Sequence, residues 1–366
     1  MTSYWMLATA LYNEFSPQRS YMADIERFTP DDRRGIEQLH RRTLGNEAAE
    51  RLRLHWDWAR RNPATGVEPP YWVVREGPTL IAVSALTPVK VSIAGTEVAG
   101  TWSSDPLVVA ERQRQGLGGS LLRAWDRGTG VALGAALSTA TRGRLDEMRW
   151  PKAQTLPCLV KPISRRAFRI PTWPVAINRL VSAIALPLVR VVSRNQPLKE
   201  EVEGVRRFDS RVDRLWERLA PRFAVAVKRD ARYLNWKYAE PPHVRYTIAL
   251  LRRGDEVEGY VVYRHLREPQ GRVTQIVDLM ADPADERGIK TLARWVDREA
   301  SMNDSDKIRC YVTNAAFRRV LRRSGYFVVK SGIDLTVKVN AVPVPRGFYD
   351  SADDWHFTLG DGELDH

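Results

Sequence analysis

The sequence predicts an α/β protein with two domains in tandem. Segments rich in valine, isoleucine, threonine and aromatic residues alternate with amphipathic segments, as strands and helices do in one layered fold. A similar order of segments occurs twice, and 366 residues are enough for two domains. A glycine-rich run at 113–120 separates a strand-like segment from a helix-like one in the first half.

The first half is predicted to begin with two helices. Thr29, followed by Pro30 and two aspartates, is typical of a helix start, and this helix runs towards Gly45. Asn46 begins a second helix that ends near Asn62. Four strand-like segments separated by turns follow, at 71–75, 80–86, 89–93 and 97–102. After the glycine-rich run come a helix at 121–127, a strand at 131–137, a helix at 142–150 and a strand at 155–160.

The glycine-rich run predicts a phosphate site. Glycines let the backbone approach a ligand closely, and the first N–H groups of a helix have no internal partner and carry partial positive charge. A pyrophosphate is the natural occupant. The run fails the Walker pattern because Gly119 precedes Ser120 and no lysine follows. It fails the dinucleotide-binding pattern because Leu121 stands where the third glycine belongs.

This part of the chain resembles motif A of the GNAT acyltransferase superfamily, whose core is [QR]-x-x-G-x-[GA]. Gln113, Gly116 and Gly118 match that core, and Ala110 replaces a proline of the family. The resemblance covers residues 24–165 and implies, for each half, a mixed, largely antiparallel central sheet flanked by helices. It also implies that the loop binds the pyrophosphate of acetyl-CoA or another acyl-CoA. The loop residues implied for this role are Gln113, Arg114, Gln115, Gly116, Leu117, Gly118, Gly119 and Ser120.

The second half is interpreted as a degenerate GNAT-like domain. Its segments are strand-like at 245–251, 257–263, 273–280 and 308–312, and helix-like at 287–300 and 315–324. Residues 324–327 resemble the closing glycine-aromatic signature of a GNAT repeat. The run 285–290 keeps one glycine and carries Asp285 and Glu286 where a pyrophosphate would lie, and these charges would repel it. This half is therefore expected to shape the acceptor site or to stabilise the first domain.

The predicted organisation has five parts. They are an extension at 1–23, the GNAT domain at 24–169, a linker at 170–200, the degenerate domain at 201–345 and a tail at 346–366. Within the linker, 175–192 is strongly apolar and lies among arginines. One hypothesis is an interfacial helix with weak peripheral contact at the inner membrane face. The other, which we favour, is a connecting helix packed across both domains and kinked at Pro187.

Composition indicates the class of partner and the compartment. The net charge of +13 favours anionic partners such as CoA phosphates, acidic glycans or a membrane face. No nucleic-acid-binding signature is found, so no specific nucleic acid is expected. Cys158 and Cys310 lie far apart in strand-like runs and are predicted to be buried free thiols, which suits a cytoplasmic location. No cysteine–histidine cluster has metal-ligand spacing, so no metal is expected.

The resemblance also implies catalytic groups near the strand that precedes the loop. In the family, backbone amides of that strand polarise the thioester carbonyl, and by position the segment is Leu107, Val108 and Val109. Asp105 is the first choice as base, and Ser104 could order a water. Glu97 lies further back on the same strand. Leu145 occupies the place of the tyrosine acid of many GNAT enzymes, so the general acid is not identified.

Two further segments stand out, an aromatic and basic helix at 230–238 and the tail at 353–361. Both resemble segments of GNAT-like proteins from bacterial polysaccharide clusters. Aromatic faces beside carboxylates would suit sugar recognition, and His356 is a candidate base by residue type. The alternative is that Tyr233, Trp236 and Tyr238 pack in the core between the domains.

The leading hypothesis is a cytoplasmic acyl-CoA-dependent N-acyltransferase. It would transfer the acyl group directly, in a ternary complex, to a small-molecule or glycan amine such as an amino sugar or polysaccharide precursor. One alternative is a non-catalytic protein that binds CoA or a glycan. Another is an aminoacyl-tRNA-dependent transferase of related tandem fold, which the basic charge suggests and the intact loop disfavours. The acyl chain length and the oligomeric state stay open.

Overall fold

Two mixed, largely antiparallel sheets flanked by helices form the molecule, so the predicted fold class is confirmed. The computed structural model describes residues 24–64, 71–168, 201–362 and 364. The extension at 1–23 and the linker segment 175–192 with its two hypotheses lie outside the described residues. None of the described helices is long and apolar enough to cross a membrane.

The helices and strands follow the predicted order, with several short strands added. The first half contains β1 (Ile25–Arg27), α1 (Arg33–Leu44), α2 (Asn46–Ala59), β2 (Tyr71–Glu76), β3 (Thr79–Ile93), β4 (Thr96–Ser103), β5 (Leu107–Val108), α3 (Leu117–Gly128), β6 (Val131–Ala135), α4 (Thr139–Glu147), β7 (Gln154–Thr155) and β8 (Cys158–Pro162). The second half contains β9 (Glu201–Val205), α5 (Arg211–Leu219), β10 (Val225–Val227), α6 (Ala231–Leu234), a π-helical turn (Asn235–Ala239), β11 (Thr247–Arg253), β12 (Glu256–Glu268), β13 (Gly271–Ala281), α7 (Glu286–Met302), β14 (Lys307–Tyr311), α8 (Ala315–Arg323), β15 (Phe327–Val329), β16 (Asp334–Val339) and β17 (Trp355–His356).

Among the boundaries that differ from the sequence prediction, two have local reasons. The segments 80–86 and 89–93 are one strand, β3, which continues through Pro88. The missing N–H of Pro88 does not end the strand, and its carbonyl accepts a hydrogen bond from Asn62 Nδ2 at 2.8 Å. Helix α3 begins at Leu117 rather than 121, because Gly116 takes a left-handed conformation with φ of 86° and starts the helix there.

Strands β4 and β6 form the part of the first sheet that positions the site. They pair in parallel from Gly100 with Val131 to Ser103 with Gly134. Beyond that point they separate, because the chain after β4 turns back at β5 to pair with β3. The separation leaves a gap in the strand pairing between residues 104–108 and residues 135–138. We call this opening the first wedge.

The two sheets exchange strands between the halves. Strand β8 of the first half lies in the seven-stranded sheet between β14 and β15, and β16 of the second half lies in the ten-stranded sheet beside β6. The predicted division at 170–200 assigns β8 to the first domain and β16 to the second. Sheet membership therefore crosses that division, although the domain boundaries themselves stay a prediction.

One hydrophobic core spans both halves and contains the aromatic residues of the 230–238 helix. Tyr233, Trp236 and Tyr238 are buried in it. Trp58 and Trp236 stack with ring centroids 4.6 Å apart, and each indole donates to the other residue's backbone carbonyl. The core interpretation of this helix is thus correct. Cys158 and Cys310 are buried and free, as predicted.

Candidate functional site

The glycine-rich loop presents an open helix N-terminus. No side chain caps α3, and within the helix the Ser120 N–H donates to the Gly116 carbonyl at 3.0 Å. A Cβ placed on Gly116 or Gly118 would meet nothing within 4 Å, so both glycines border open space. Arg114 has φ of 62°, a strained conformation for a residue with a side chain, and such strain is typical of ligand loops. The backbone is therefore shaped to receive an anion.

Side-chain hydrogen bonds hold the loop in place. Gln113 Nε2 donates to the Val108 carbonyl at 3.2 Å and ties the loop to β5. Gln115 Nε2 donates to the Glu111 carbonyl at 3.2 Å. The side chains of these two glutamines thus stabilise the loop, whereas the resemblance implies that backbone amides of the run bind the pyrophosphate. Their backbone amides remain part of the predicted site.

Two arginines beside the loop were missed by the sequence reasoning. A Cβ placed on Gly119 would lie 3.6 Å from Nη1 of Arg123 and 4.0 Å from Cδ of Arg144. Arg123 also donates to Ser120 Oγ at 2.9 Å. The spacing of four residues from Gly119 to Arg123 on one helix could have indicated the first arginine. Arg144 comes from α4, and no local pattern indicates it.

One backbone amide of the 107–109 segment is directed away from β3. The Val109 N–H donates to the Ile81 carbonyl of β3 at 3.0 Å, so it is already engaged. Successive N–H groups of a strand point to opposite edges, and the Val108 N–H therefore points away from β3. Of the three predicted amides, the Val108 N–H is therefore the one that is directed away from β3 next to an engaged Val109 N–H.

Asp105 lies at the narrow end of the first wedge and bridges it. Its carboxylate accepts hydrogen bonds from Ser138 N at 3.1 Å and Ser138 Oγ at 3.1 Å. Ser138 in turn caps α4 by accepting from the Thr141 N–H at 3.2 Å. Ser104, the predicted water-ordering residue, is adjacent and half-buried. Ala136 on the opposite side of the opening has φ of 52°, a strained conformation for a residue with a side chain.

His356 lies far inside the core and not in the wedge. Its exposed fraction is 0%, and its ring packs against Phe223 and Phe317. Nε2 donates to the Leu279 carbonyl at 3.0 Å. Burial, with the nearby Arg229 charge, lowers the pKa of His356 to about 3. A neutral ring without exposed surface has no route to a substrate proton, so we assign His356 no catalytic role.

The other residues singled out from the sequence also lie outside the wedge. Glu97 is at the opposite end of β4, paired with Lys228 at 2.8 Å. Leu145 is buried on α4 against the core. The aromatic rings proposed to stack on sugars are buried rather than displayed; they are Tyr233, Trp236, Tyr238, Trp355 and Phe357. The sugar interpretation therefore loses the exposed aromatic faces on which it depended.

The N-terminus of α7 in the second half is closed by its own side chain. Asp285 caps the helix by accepting from the Gly288 N–H at 3.0 Å. A Cβ on Gly288 would lie 2.5 Å from Asp285 Oδ2, so the carboxylate fills the space that is open beside Gly118. Glu286 pairs with Arg323 at 3.0 Å. An anion would meet a carboxylate at this position.

Comparison with known proteins identifies the fold. No family model matches the chain, and no curated protein matches it. Among solved structures, a GCN5-related N-acetyltransferase from Anabaena variabilis is 11% identical with a TM-score of 0.58, over 86% of this chain and 73% of that one. A GCN5-related N-acetyltransferase from Kribbella flavida is 14% identical with a TM-score of 0.53, over 87% and 72%. The N-myristoyltransferase of Saccharomyces cerevisiae with bound myristoyl-CoA is 11% identical with a TM-score of 0.52, over 88% and 84%. This chain therefore has the fold of the GNAT acyltransferases.

Proposed function

We propose that the protein is an acyl-CoA-dependent N-acyltransferase whose donor site is the loop at 113–120 and the first wedge. The observation that carries the proposal is the open N-terminus of α3 beside two unobstructed glycines. Its amides would hold the pyrophosphate, and Arg123 and Arg144 would add positive charge beside it. The similarity in fold to a structure with bound myristoyl-CoA supports this donor class.

The wedge supplies the groups that acyl transfer needs. An amine attacks the thioester carbonyl, and negative charge develops on the carbonyl oxygen in the transition state. The Val108 N–H, which is directed away from β3, would stabilise that charge. The Asp105 carboxylate would accept the proton that the amine loses, directly or through a water beside Ser104. The leaving thiolate takes a proton from solvent, because Leu145 offers none.

The acceptor is proposed only as a primary amine. Asp105 as base and the Val108 N–H as oxyanion donor, three residues apart in the chain, support amine acylation, which needs no covalent intermediate with the protein. Acetyl-CoA is the first donor to test, with longer acyl chains as the alternative.

Calorimetric titration with acetyl-CoA tests the donor site. We expect 1:1 binding to the wild type and at least a 30-fold weaker Kd for Gly118→Glu, because a carboxylate would then face the pyrophosphate. Gly118 has room for the side chain, so the variant should fold. Gly204→Glu is the matched control, since it adds the same charge in open space on β9. A wild type that gives no heat, or a Gly118→Glu variant that binds as tightly as the control, would refute the donor assignment.

Thiol release from acetyl-CoA tests the activity. A panel of amino sugars, amino acids and polyamines should contain at least one amine that accelerates release over hydrolysis. Tight CoA binding without acceleration by any of these amines would instead support the non-catalytic alternative.

A further inference from the structure

The two segments that the donor site does not use meet in one buried network. Arg229 Nη2 donates to Asp361 at 2.7 Å, and Arg229 also pairs with Asp278 of β13 at 3.3 Å. Lys237 Nζ donates to the Gly362 carbonyl at 2.8 Å. The helix at 230–238 and the tail at 353–361, which lie far apart in the sequence, are thus joined by charged side chains without exposure to solvent.

The tail fills a second wedge that corresponds to the first one. Strands β13 and β14 pair in parallel as far as Ile276 with Cys310 and then separate, as β4 and β6 do. Here the tail enters the gap: the Thr313 N–H donates to the Phe357 carbonyl at 3.0 Å. Thr358 Oγ1 donates to Asp278 at 3.1 Å on the other side. The second wedge therefore fixes the position of the tail.

From this anchor the tail reaches the first wedge. The rings of Phe357 and Trp102 meet edge to face with centroids 5.9 Å apart. A Cβ on Gly362 would lie 3.9 Å from Trp102 Cε3. Trp102 is on β4, one residue before the last pair with β6 and two residues before Ser104. The tail at Gly362 thus packs against β4, the strand that ends directly before Ser104 and Asp105.

Burial of the Lys237 side chain at this position lowers the stability of the fold. Its exposed fraction is 1%, its hydrogen-bond acceptor is the Gly362 carbonyl, and no carboxylate of the described residues lies within 4.0 Å of the ammonium. A buried charge with so little compensation lowers stability, and an apolar side chain of similar volume would serve packing better. The ammonium does what an apolar side chain could not do here, because it holds the Gly362 carbonyl by a hydrogen bond.

We propose that Lys237 is a positioning residue, which fixes the tail at Gly362 against Trp102 and so sets the acceptor side of the first wedge. This inference rests on the proposed function. The tail is anchored in the second wedge and contacts β4 at the first wedge. The inference therefore assigns the second half a specific contribution to the reaction.

Kinetics of matched lysine variants test the proposal. For Lys237→Met we expect an acetyl-CoA Kd within twofold of wild type and an acceptor KM raised at least tenfold, with Lys237→Arg within threefold of wild type. Lys161→Met is the control. Lys161 is a second buried lysine, which lies on β8 and pairs with Asp297 at 2.6 Å. Its loss should lower the Tm but leave both constants unchanged. Equal effects of Lys237→Met and Lys161→Met on KM would overturn the proposal.

Hydrogen–deuterium exchange gives a readout that needs neither donor nor acceptor. Exchange of the peptide covering 98–106 should be at least tenfold faster in Lys237→Met than in wild type and unchanged in Lys161→Met. If Lys237→Met does not fold, Lys237→Gln replaces it in both measurements. Unaltered exchange at 98–106 in the folded variant overturns the positioning role. Lack of acetyl-CoA binding by the wild type instead refutes the proposed function, and the role of Lys237 in it falls with it.

Discussion

Gly116 and Asp285 hold the same position, the N-cap of the helix that follows the central strand, in the two halves of the molecule. Gly116 leaves the first N–H groups of α3 exposed, whereas the Asp285 side chain accepts a hydrogen bond from the first turn of α7. A helix N-terminus attracts anions in both cases, and the residue at the cap decides whether an external anion or the chain itself supplies the charge.

Asp105 can be tested as a base separately from its structural contact. In Asp105→Asn the amide oxygen can still accept from the Ser138 N–H, so the cap of α4 is retained, but the amide cannot take a proton. We expect kcat to fall at least about 100-fold at unchanged acetyl-CoA Kd. Steady-state kinetics with the best amine of the panel, together with the Tm, check this. A kcat within threefold of wild type would show that Asp105 has only a structural role, through its contact with Ser138.

Residues were predictable where a short sequence pattern carries the information. The loop at 113–120 follows from glycine spacing, and the buried thiols follow from strand-like surroundings. The contact of Asp105 with Ser138 joins residues 33 apart, and that of His356 with Leu279 joins residues 77 apart. Such pairs depend on how distant strands meet. Residue type alone therefore suggested a catalytic His356 where the fold buries it.

The tail is an element whose stability depends on buried ionisable groups. Burial lowers the pKa of His356 to about 3 and raises the pKa of Asp361 to about 6. Between about pH 4 and 6 the folded network keeps a proton on Asp361, while the unfolded chain keeps one on His356. Both states bind the same number of protons, so these two residues together leave the free energy of unfolding nearly constant over that range.

Replacing His356 should reveal how the Asp361 carboxyl group changes the stability with pH. A carboxyl group with a raised folded pKa stabilises the folded state at low pH, and this stabilisation is lost as the pH rises through that pKa. For His356→Gln we therefore expect the free energy of unfolding to fall by roughly 3 kcal/mol more than in wild type between about pH 4 and 6. Urea unfolding across this range measures it. In the double variant that also carries Asp361→Asn, the free energy of unfolding should again change with pH as it does in wild type. A His356→Gln variant whose free energy of unfolding has the pH dependence of wild type would argue against this assignment.

At the scale of the whole molecule, exchanged strands and a shared core join the halves. Strand β16 covers the edge of β6, and β8 completes the second sheet beside β14. The sequence predicted the order of elements in each half, because that order depends on local periodicity. It could not predict the exchange, since either half offers an edge that fits a short apolar strand. Register across two sheets is decided by the packing of the complete chain.

The exchange predicts that neither half folds alone. A fragment of residues 24–168 lacks β16 and leaves the apolar residues Cys158 and Leu159 of β8 without their partner strands. Unpaired edges and exposed core residues favour aggregation. We expect this fragment to be insoluble or to melt without a cooperative transition, and to co-purify in a 1:1 complex when expressed together with residues 201–366. The control is the intact chain, cut after folding by a protease at a site placed within 170–200; it should stay assembled.

Calorimetry should give one transition for the intact chain, because the two sheets share strands and cannot unfold separately. Two separated transitions, or a cooperative melt of 24–168 alone, would contradict the coupling.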